Sequence, residues 1–222
     1  MGAVGLTAVR HRIAESAARS GRDPEEIELV AVSKYATDDE VMAVYEAGHR
    51  DFGERRADEL VARAGRLPSD IRWHFIGSLQ RNKARRVRPV ATVLHSMDRR
   101  SLAETWLKGP GGPPPVFVQV NLGDESQKGG VMPDQAAPLV DDVVRLGIEV
   151  VGLMVIPPRG DTPDDARPWF RQLRALRDAI RDRHPSLSGL SMGMTDDYTV
   201  AVEEGATVLR VGRAIFQPEE KG

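Results

Sequence analysis

Lys34 is the residue whose type and position point most directly to covalent chemistry. It ends the segment ELVAVSK (residues 28–34), a short apolar run that is typical of a buried strand. A lysine amine forms Schiff bases with carbonyl compounds when its surroundings favour the neutral amine. A solvated lysine at a strand end does no such chemistry, so the other motifs must decide between the two interpretations.

Two glycine-containing segments near the end of the sequence indicate a phosphate site. SMGMT (residues 191–195) supplies hydroxyls and a glycine, and VGR (residues 211–213) places a second glycine before a final helical turn. Backbone N–H groups in such turns bind anions, although either glycine alone would also fit simple turn geometry. Two such turns after consecutive strands favour phosphate binding. The candidate residues are Ser191, Gly193, Thr195, Gly212 and Arg213.

Four further polar residues lie near predicted strand ends. A buried Arg210 needs a partner, which we expect to be a phosphate, an electron-rich ring atom or a carboxylate such as Glu54. Glu54 itself is either a general acid/base or the acid at a helix amino terminus. His74 and His95 lack an acid at ligand spacing, so we predict hydrogen-bonded barrel residues rather than a metal site.

A basic run follows the third predicted strand. Arg81, Arg85 and Arg88 are spaced to share one helix face, with Lys83 and Arg86 beside them. Such runs are usually solvated, and no aromatic residues alternate with these cations as they do in proteins that stack on bases. Phosphate steering or partner docking is the alternative interpretation.

Composition limits the classes of function. The chain has 222 residues, a formal net charge of −2, 41% hydrophobic residues and no cysteine. These values give no reason to expect nucleic acid as a partner, and they exclude disulfides and thiol catalysis. With neither a signal peptide nor an apolar run of membrane-spanning length, we expect a cytoplasmic protein without membrane contact.

The elements that must position these residues alternate regularly between strand and helix. Eight strands predict a (β/α)8 barrel, with a doubly wound open sheet as the runner-up. We predict one domain over residues 1–222, made of an N-terminal helix (1–22), the barrel (28–217) and a tail (218–222). Residues 109–115, GPGGPPP, are predicted to be a loop rather than a linker. The predicted strands are residues 28–33, 49–52, 72–76, 92–95, 116–120, 149–155, 187–191 and 207–211.

Taken together, these motifs resemble the YggS/PROSC family of pyridoxal 5′-phosphate (PLP) homeostasis proteins over nearly the whole chain. WHFIGSLQRNK (residues 73–83), and SMGM followed by RVG (residues 210–212), are the specific carriers of the resemblance. The supporting motifs are AVSK (31–34), FGE (52–54), QVN (119–121), ESQKGG (125–130), GLM (152–154) and RVGRAIF (210–216).

The resemblance implies a fold and a cofactor. The fold would be a barrel similar to the N-terminal domain of alanine racemase, without that enzyme's second domain. Lys34 would hold PLP as a Schiff base, and Arg210 would lie near the pyridine nitrogen or the phosphate. An arginine at that nitrogen weakens the electron sink on which most PLP enzymes depend. The implied cofactor-binding residues are Lys34, Ser191, Gly193, Thr195, Arg210, Gly212 and Arg213.

The sequence departs from the family pattern at Arg55, where FGEN is usual and this chain reads FGER. A cation thus replaces an amide near the expected cofactor. The contact that the family residue would make with the PLP ring is therefore not predicted for Arg55. Thr195 stands where serine is common, which keeps the hydroxyl, and Gln217 where glycine is common.

The function implied by the resemblance is intracellular PLP homeostasis by a monomeric, non-catalytic carrier that passes PLP to apo-enzymes. A PLP-dependent racemase or lyase is the alternative, supported by Tyr35 beside Lys34. Two further alternatives are a Schiff-base aldolase acting on a phosphosugar and a docking module that uses the Arg81–Arg88 face.

Overall fold

The predicted barrel is confirmed by a computed structural model, which describes residues 2–125 and 128–217. Eight strands pair in chain order, and β1 pairs in parallel with β8 to close the barrel. A parallel strand can follow another only through a crossover, and a helix supplies it between most neighbouring strands. The strands are β1 (Glu28–Val32), β2 (Asp51–Glu54), β3 (Arg72–Phe75), β4 (Ala91–Met97), β5 (Val116–Val120), β6 (Val150–Val155), β7 (Gly189–Ser191) and β8 (Val208–Val211).

The helices surround the barrel. The additional N-terminal helix α1 packs against α2, α8 and α9, where Gly5 permits close approach. A Cβ atom at residue 5 would lie 2.2 Å from the carbonyl oxygen of Ile215. The helices are α1 (Gly2–Arg19), α2 (Asp38–Glu46), α3 (Ala57–Ala64), α4 (Arg81–Val87), α5 (Arg100–Trp106), α6 (Pro133–Arg145), α7 (Arg167–Arg181), α8 (Tyr198–Glu203) and α9 (Arg213–Phe216).

Side-chain alternation along the strands creates two apolar layers. On β1, Leu29 and Ala31 belong to the large cluster between barrel and helices, as their parity predicts. Val30 points the other way and joins Phe117, Met154 and Val208 in a small cluster inside the barrel. This parity fixes which residues of β1 face the barrel interior.

The strand bounds differ most from the prediction at three places. The second strand spans Asp51–Glu54 rather than 49–52, β4 extends to Met97 rather than 95, and β7 begins at Gly189 rather than 187. Pro163–Ala166 forms a 3-10 turn before α7. Residues 109–115 connect α5 to β5 within the same closed barrel. Residues 126 and 127 of the ESQKGG motif and the predicted tail, 218–222, lie outside the described residues. Among the described helices, none combines the length and hydropathy needed to cross a membrane.

Candidate functional site

The segments that follow β1, β7 and β8 meet at the carboxyl ends of the strands, which we call the mouth. The turn at Gly212 lies against the end of β1, because a Cβ atom at residue 212 would be 3.0 Å from the carbonyl oxygen of Val32. The backbone N–H of Arg210 donates to the carbonyl of Gly193 at 2.9 Å. The structure therefore brings the Lys34 turn and both predicted glycine segments into one region, as barrel topology requires.

Lys34 lies on a short turn with a fixed backbone. The N–H of Ser33 donates to Gly53 O at 2.9 Å, and that of Ala36 donates to Ser33 O at 3.0 Å. Helix α2 then begins at once with a capping box between Thr37 and Glu40. The exposed Lys34 side chain is consequently presented from a rigid strand-to-helix connection.

Arg63 on α3 supports the same turn, a role that was not predicted from the sequence. Its guanidinium is buried, donates to Ser33 O at 2.7 Å and also bonds Ala36 O. Ion pairs with Glu54 at 3.4 Å and Asp38 at 3.3 Å balance its charge. An arginine on an amphipathic helix is normally solvated, so only the fold shows that this one supports the Lys34 turn.

The segment after β7 requires its glycine. Gly193 has φ +92°, and a Cβ atom there would lie 2.6 Å from Ala201 Cβ. The N–H of Met194 donates to the Asp197 carboxylate at 2.6 Å, which fixes the loop next to Thr195. Burial raises the pKa of Asp197, while the Met194 hydrogen bond and Arg210 oppose that rise. Thr195 is half-buried on this loop.

The segment after β8 contributes backbone donors. Gly212 is the N-cap of α9, and the first N–H groups of a helix have no acceptor within it. Arg213 is exposed, and its guanidinium bonds both oxygens of Asp196 at 2.6 and 2.8 Å. Arg213 was predicted to bind the cofactor. Because its guanidinium is paired with Asp196, its backbone N–H is better placed to bind a ligand than its side chain.

Arg210 lies inside the barrel beneath these segments and is buried. Its Nη1 donates to Ser191 Oγ at 2.6 Å and its Nη2 to Val155 O at 2.8 Å. Desolvation lowers its pKa to about 10, so the guanidinium keeps its charge at neutral pH. The predicted carboxylate alternative, a pair with Glu54, is wrong because Glu54 is bound elsewhere.

Glu54 has a structural environment. Its buried carboxylate accepts from the N–H groups of Arg55 at 2.7 Å and Arg56 at 3.2 Å, ahead of α3. It also pairs with Arg63. Of the two predicted roles, the acid at a helix amino terminus is the one that the geometry supports.

The two histidines are hydrogen-bonded barrel residues, as predicted. His74 Nδ1 and His95 Nε2 are 3.0 Å apart, and His95 Nδ1 is 2.8 Å from Ser191 Oγ. On its other side, His74 Nε2 lies 3.2 Å from Glu28 and 3.3 Å from Asp51. The expectation that no acid lies at ligand spacing is therefore wrong for His74. Sequence spacing did not reveal these two acids, because they begin different strands.

The basic run does not form one common face. Arg88 is buried and donates to the carbonyls of Pro110 and Gly111, each at 2.7 Å. Lys83 and Arg86 pair with Asp58 on α3 at 2.9 and 2.6 Å. The remaining two cations of the run, Arg81 and Arg85, line a groove of about 780 Å³ between α4 and α5. It is lined by Gln80, Arg81, Asn82, Arg85, Arg99, Thr105 and Lys108.

Comparison with known proteins places the chain among PLP-related barrels. Residues 4–219 match the family model described as alanine racemase, N-terminal domain. A pyridoxal phosphate homeostasis protein of Aquifex aeolicus is 38% identical, with 95% of each chain covered. A protein of the same name from Pseudomonas aeruginosa is 36% identical, covering 98% of this chain and 95% of that one.

A solved structure shares the fold closely. The structure of PipY from Synechococcus elongatus with PLP bound has a TM-score of 0.78 and 33% identity. It covers 92% of this chain and 99% of that one. The similarity therefore extends over the whole barrel.

Proposed function

Because this chain belongs to the family of pyridoxal phosphate homeostasis proteins, we propose that it binds PLP at the mouth and acts as a PLP carrier. The observation that carries the proposal is the juxtaposition of the Lys34 turn with the Gly212 turn, above the buried Arg210. An amine, an anion cradle and a fixed cation are the three groups that this ligand requires.

The residues present fit PLP in type. PLP supplies an aldehyde that bonds a primary amine reversibly, together with an aromatic nitrogen and a phosphate. Lys34 offers the amine from a turn held by Arg63. The backbone of residues 193–195 and the amino terminus of α9 offer donors for the phosphate. Gly193 leaves no room for a Cβ atom, and a Cβ atom at residue 212 would be tightly packed, 3.0 Å from Val32 O. Thr195 adds a hydroxyl at the same edge.

Arg210 gives a reason to favour holding PLP over transforming amino acids. It donates two of its five N–H groups to Ser191 and Val155, which leaves others for a ligand above it. A cation facing the ring nitrogen disfavours protonation of that nitrogen, and an unprotonated ring is a weaker electron sink. This arrangement supports a carrier rather than a racemase or lyase.

The test is the visible spectrum of the protein mixed with PLP. Wild type is expected to give the absorption band of lysine-bound PLP, and Lys34→Ala to lack it. Lys108→Ala is the matched control, because Lys108 lies in the α4–α5 groove. An unchanged band in Lys34→Ala would refute Lys34 as the attachment site.

Turnover separates the carrier from the racemase or lyase. Tyr35 is the residue that supports the enzymatic alternative. Its ring centroid is 5.2 Å from Lys34 Nζ, and the residue is 64% exposed. We expect α-proton exchange of amino acids in D₂O to be no faster than with free PLP. Exchange at enzymatic rates that is lost in Tyr35→Phe would replace the carrier by the racemase.

Delivery to apo-enzymes requires a contact surface, and the α4–α5 groove fits an acidic one. Its four cations are Arg81, Arg85, Arg99 and Lys108, in a chain whose net charge is −2. Complementary charge mainly accelerates association and is screened by salt. We expect the double variant Arg81→Glu/Arg85→Glu to slow PLP transfer to an apo-enzyme several-fold at low salt. Arg12→Glu on exposed α1 is the control, and equal rates for both would exclude the groove.

We propose a monomer as the working unit, because every group assigned to the site comes from one chain. Sedimentation of the protein with and without PLP is expected to give one species near 24.4 kDa. A dimer that forms only with PLP would contradict this assignment.

A further inference from the structure

A chain of polar side chains crosses the otherwise apolar barrel interior. His74, His95, Ser191 and Arg210 are each no more than 4% exposed. The interior cluster around them consists of Val30, Phe117, Met154 and Val208. Buried polar groups are costly unless all are hydrogen-bonded, so a complete chain of this kind calls for an explanation.

The chain of hydrogen-bonded side chains connects the two ends of the barrel. Its lower end is the amino-terminal rim, where Glu28 begins β1 and Asp51 begins β2. From these carboxylates it passes through His74 and His95 to Ser191 at the end of β7. His74 Nε2 lies 3.2 Å from Glu28 and 3.3 Å from Asp51. His74 Nδ1 and His95 Nε2 are 3.0 Å apart, and His95 Nδ1 is 2.8 Å from Ser191 Oγ. Ser191 Oγ is in turn 2.6 Å from Arg210 Nη1.

Donor and acceptor roles allow one arrangement with both histidines neutral. Arg210 can only donate, so Ser191 Oγ accepts from it. The Ser191 hydroxyl then donates to His95 Nδ1, and His95 Nε2–H donates to His74 Nδ1. His74 Nε2–H completes the chain by donating to the carboxylates. Every member is satisfied, and all bonds run from the mouth towards the rim.

The surroundings of His95 favour its neutral form. Full burial holds the pKa of His95 well below its usual range, and His74 and Arg210 act in the same direction. The charged groups facing His74 are Glu28, Asp51 and, through Asp51, Arg72. Phe117 stacks on His95 with ring centroids 4.7 Å apart and contributes no charge.

We propose that His74 and His95 are positioning residues that orient Arg210 through the Ser191 hydroxyl. This inference rests on the proposed function for its consequence, which is that PLP binds more tightly when Arg210 is held in place. The hydrogen-bond chain itself is independent of PLP and can be tested without it.

The first test is ¹⁵N NMR of histidine-labelled protein without PLP, because nitrogen shifts report tautomers directly. At neutral pH, His95 is expected to be neutral and to carry its hydrogen on Nε2, which leaves Nδ1 to accept from the Ser191 hydroxyl. A His95 hydrogen on Nδ1 would overturn the inference, because Ser191 would then accept from His95 as well as from Arg210.

The second test compares PLP binding in variants of His95. Glutamine keeps one donor and one acceptor, whereas phenylalanine keeps the ring and loses both. We expect His95→Phe to weaken PLP binding about 10-fold, and His95→Gln to stay within about 3-fold of wild type. His184→Gln is the control, because His184 pairs with Asp141 outside the barrel interior.

Ser191→Ala provides a second route if His95→Phe does not fold. It leaves the histidine pair intact but removes the link to Arg210, so it should show the His95→Phe binding profile. Wild-type PLP affinity in both Ser191→Ala and His95→Phe would refute the inference while leaving the carrier function intact. Absence of PLP binding in wild type, with the His95 hydrogen on Nε2, would refute the carrier function and leave the hydrogen-bond chain.

Discussion

The charged residues at the two ends of the barrel differ in whether they are paired with opposite charges. At the amino-terminal rim, Arg72 bonds Asp51, and His74 lies within 3.3 Å of both Glu28 and Asp51. At the mouth, Arg213 pairs with Asp196, but Lys34, Arg55 and Arg210 have no carboxylate within ion-pair distance among residues 2–125 and 128–217. Rim charges neutralise one another and serve stability, whereas these three mouth cations remain available to an anionic ligand.

Removing Arg63 should have the largest effect, because this residue connects stability to the Lys34 turn. Arg63→Met leaves the buried Glu54 carboxylate without its ion pair and frees two carbonyls of the turn. We expect a loss of about 3 kcal/mol in urea unfolding, together with weaker PLP binding. Arg66→Met is the matched control, because the exposed Arg66 pairs with the half-buried Asp38 at the surface and its loss should cost less than about 1 kcal/mol. Equal losses would show that Arg63 does not support the turn.

Gly193→Ala tests whether the mouth depends on backbone shape. The added Cβ would meet Ala201 Cβ at 2.6 Å and Leu209 Cδ2 at 2.9 Å, at a φ of +92°. Overpacking and left-handed strain together predict a loss of about 2–3 kcal/mol and weakened phosphate binding. Gly112→Ala, where a Cβ meets nothing within 4 Å, should change the unfolding free energy by less than about 0.5 kcal/mol. A Gly193→Ala protein as stable as Gly112→Ala would contradict the described loop.

Acid titration should act on the rim. Although burial raises it, hydrogen bonds from His74 and Arg72 lower the pKa of Asp51 to about 2 from 3.8. A carboxyl with a lowered folded pKa stabilises the protein above its unfolded pKa and loses that contribution as pH falls through the folded pKa. The stability difference between wild type and Asp51→Asn should therefore shrink by about 1–2 kcal/mol between pH 5 and pH 2. A difference that is constant over this range would show that the ion pair is unimportant.

Arg55→Asn, which restores the usual family residue, should have the smallest effect. Arg55 is exposed, and its guanidinium carbon is 6.0 Å from the centroid of the Tyr35 ring. We expect a change in unfolding free energy below about 0.5 kcal/mol. PLP affinity should fall about 2-fold at low salt, with the difference vanishing at high salt, because a screened surface charge acts only at short range. A larger, salt-independent fall would place Arg55 in direct contact with PLP.

The sequence was sufficient for the barrel because its signals are local. Apolar strands, each followed by a helical pattern, set the order of β1 to β8, and parity placed Val30 inside and Leu29 outside. The strand-end position of Lys34 and the turns at Gly193 and Gly212 followed from the same patterns. These features depend on neighbouring residues along the chain, which is why periodicity predicts them.

The contacts that sequence reasoning missed join distant segments. Arg63 is 30 residues from the carbonyl of Ser33 that it holds, and His95 is 96 residues from Ser191. Arg88, predicted on a basic face, is buried against the carbonyls of the glycine–proline loop. A helix pattern gives the direction of a side chain but not what another part of the chain places there.

Lys34 is the residue that we propose as the covalent attachment point for PLP. Borohydride reduction of the PLP-loaded protein, followed by proteolysis and mass spectrometry of the peptides, tests this assignment. The mass of reduced PLP is expected on the peptide containing Lys34, and Lys34→Ala protein should not gain it. Stoichiometric labelling of another lysine in wild type, with Lys34 unmodified, would contradict this assignment.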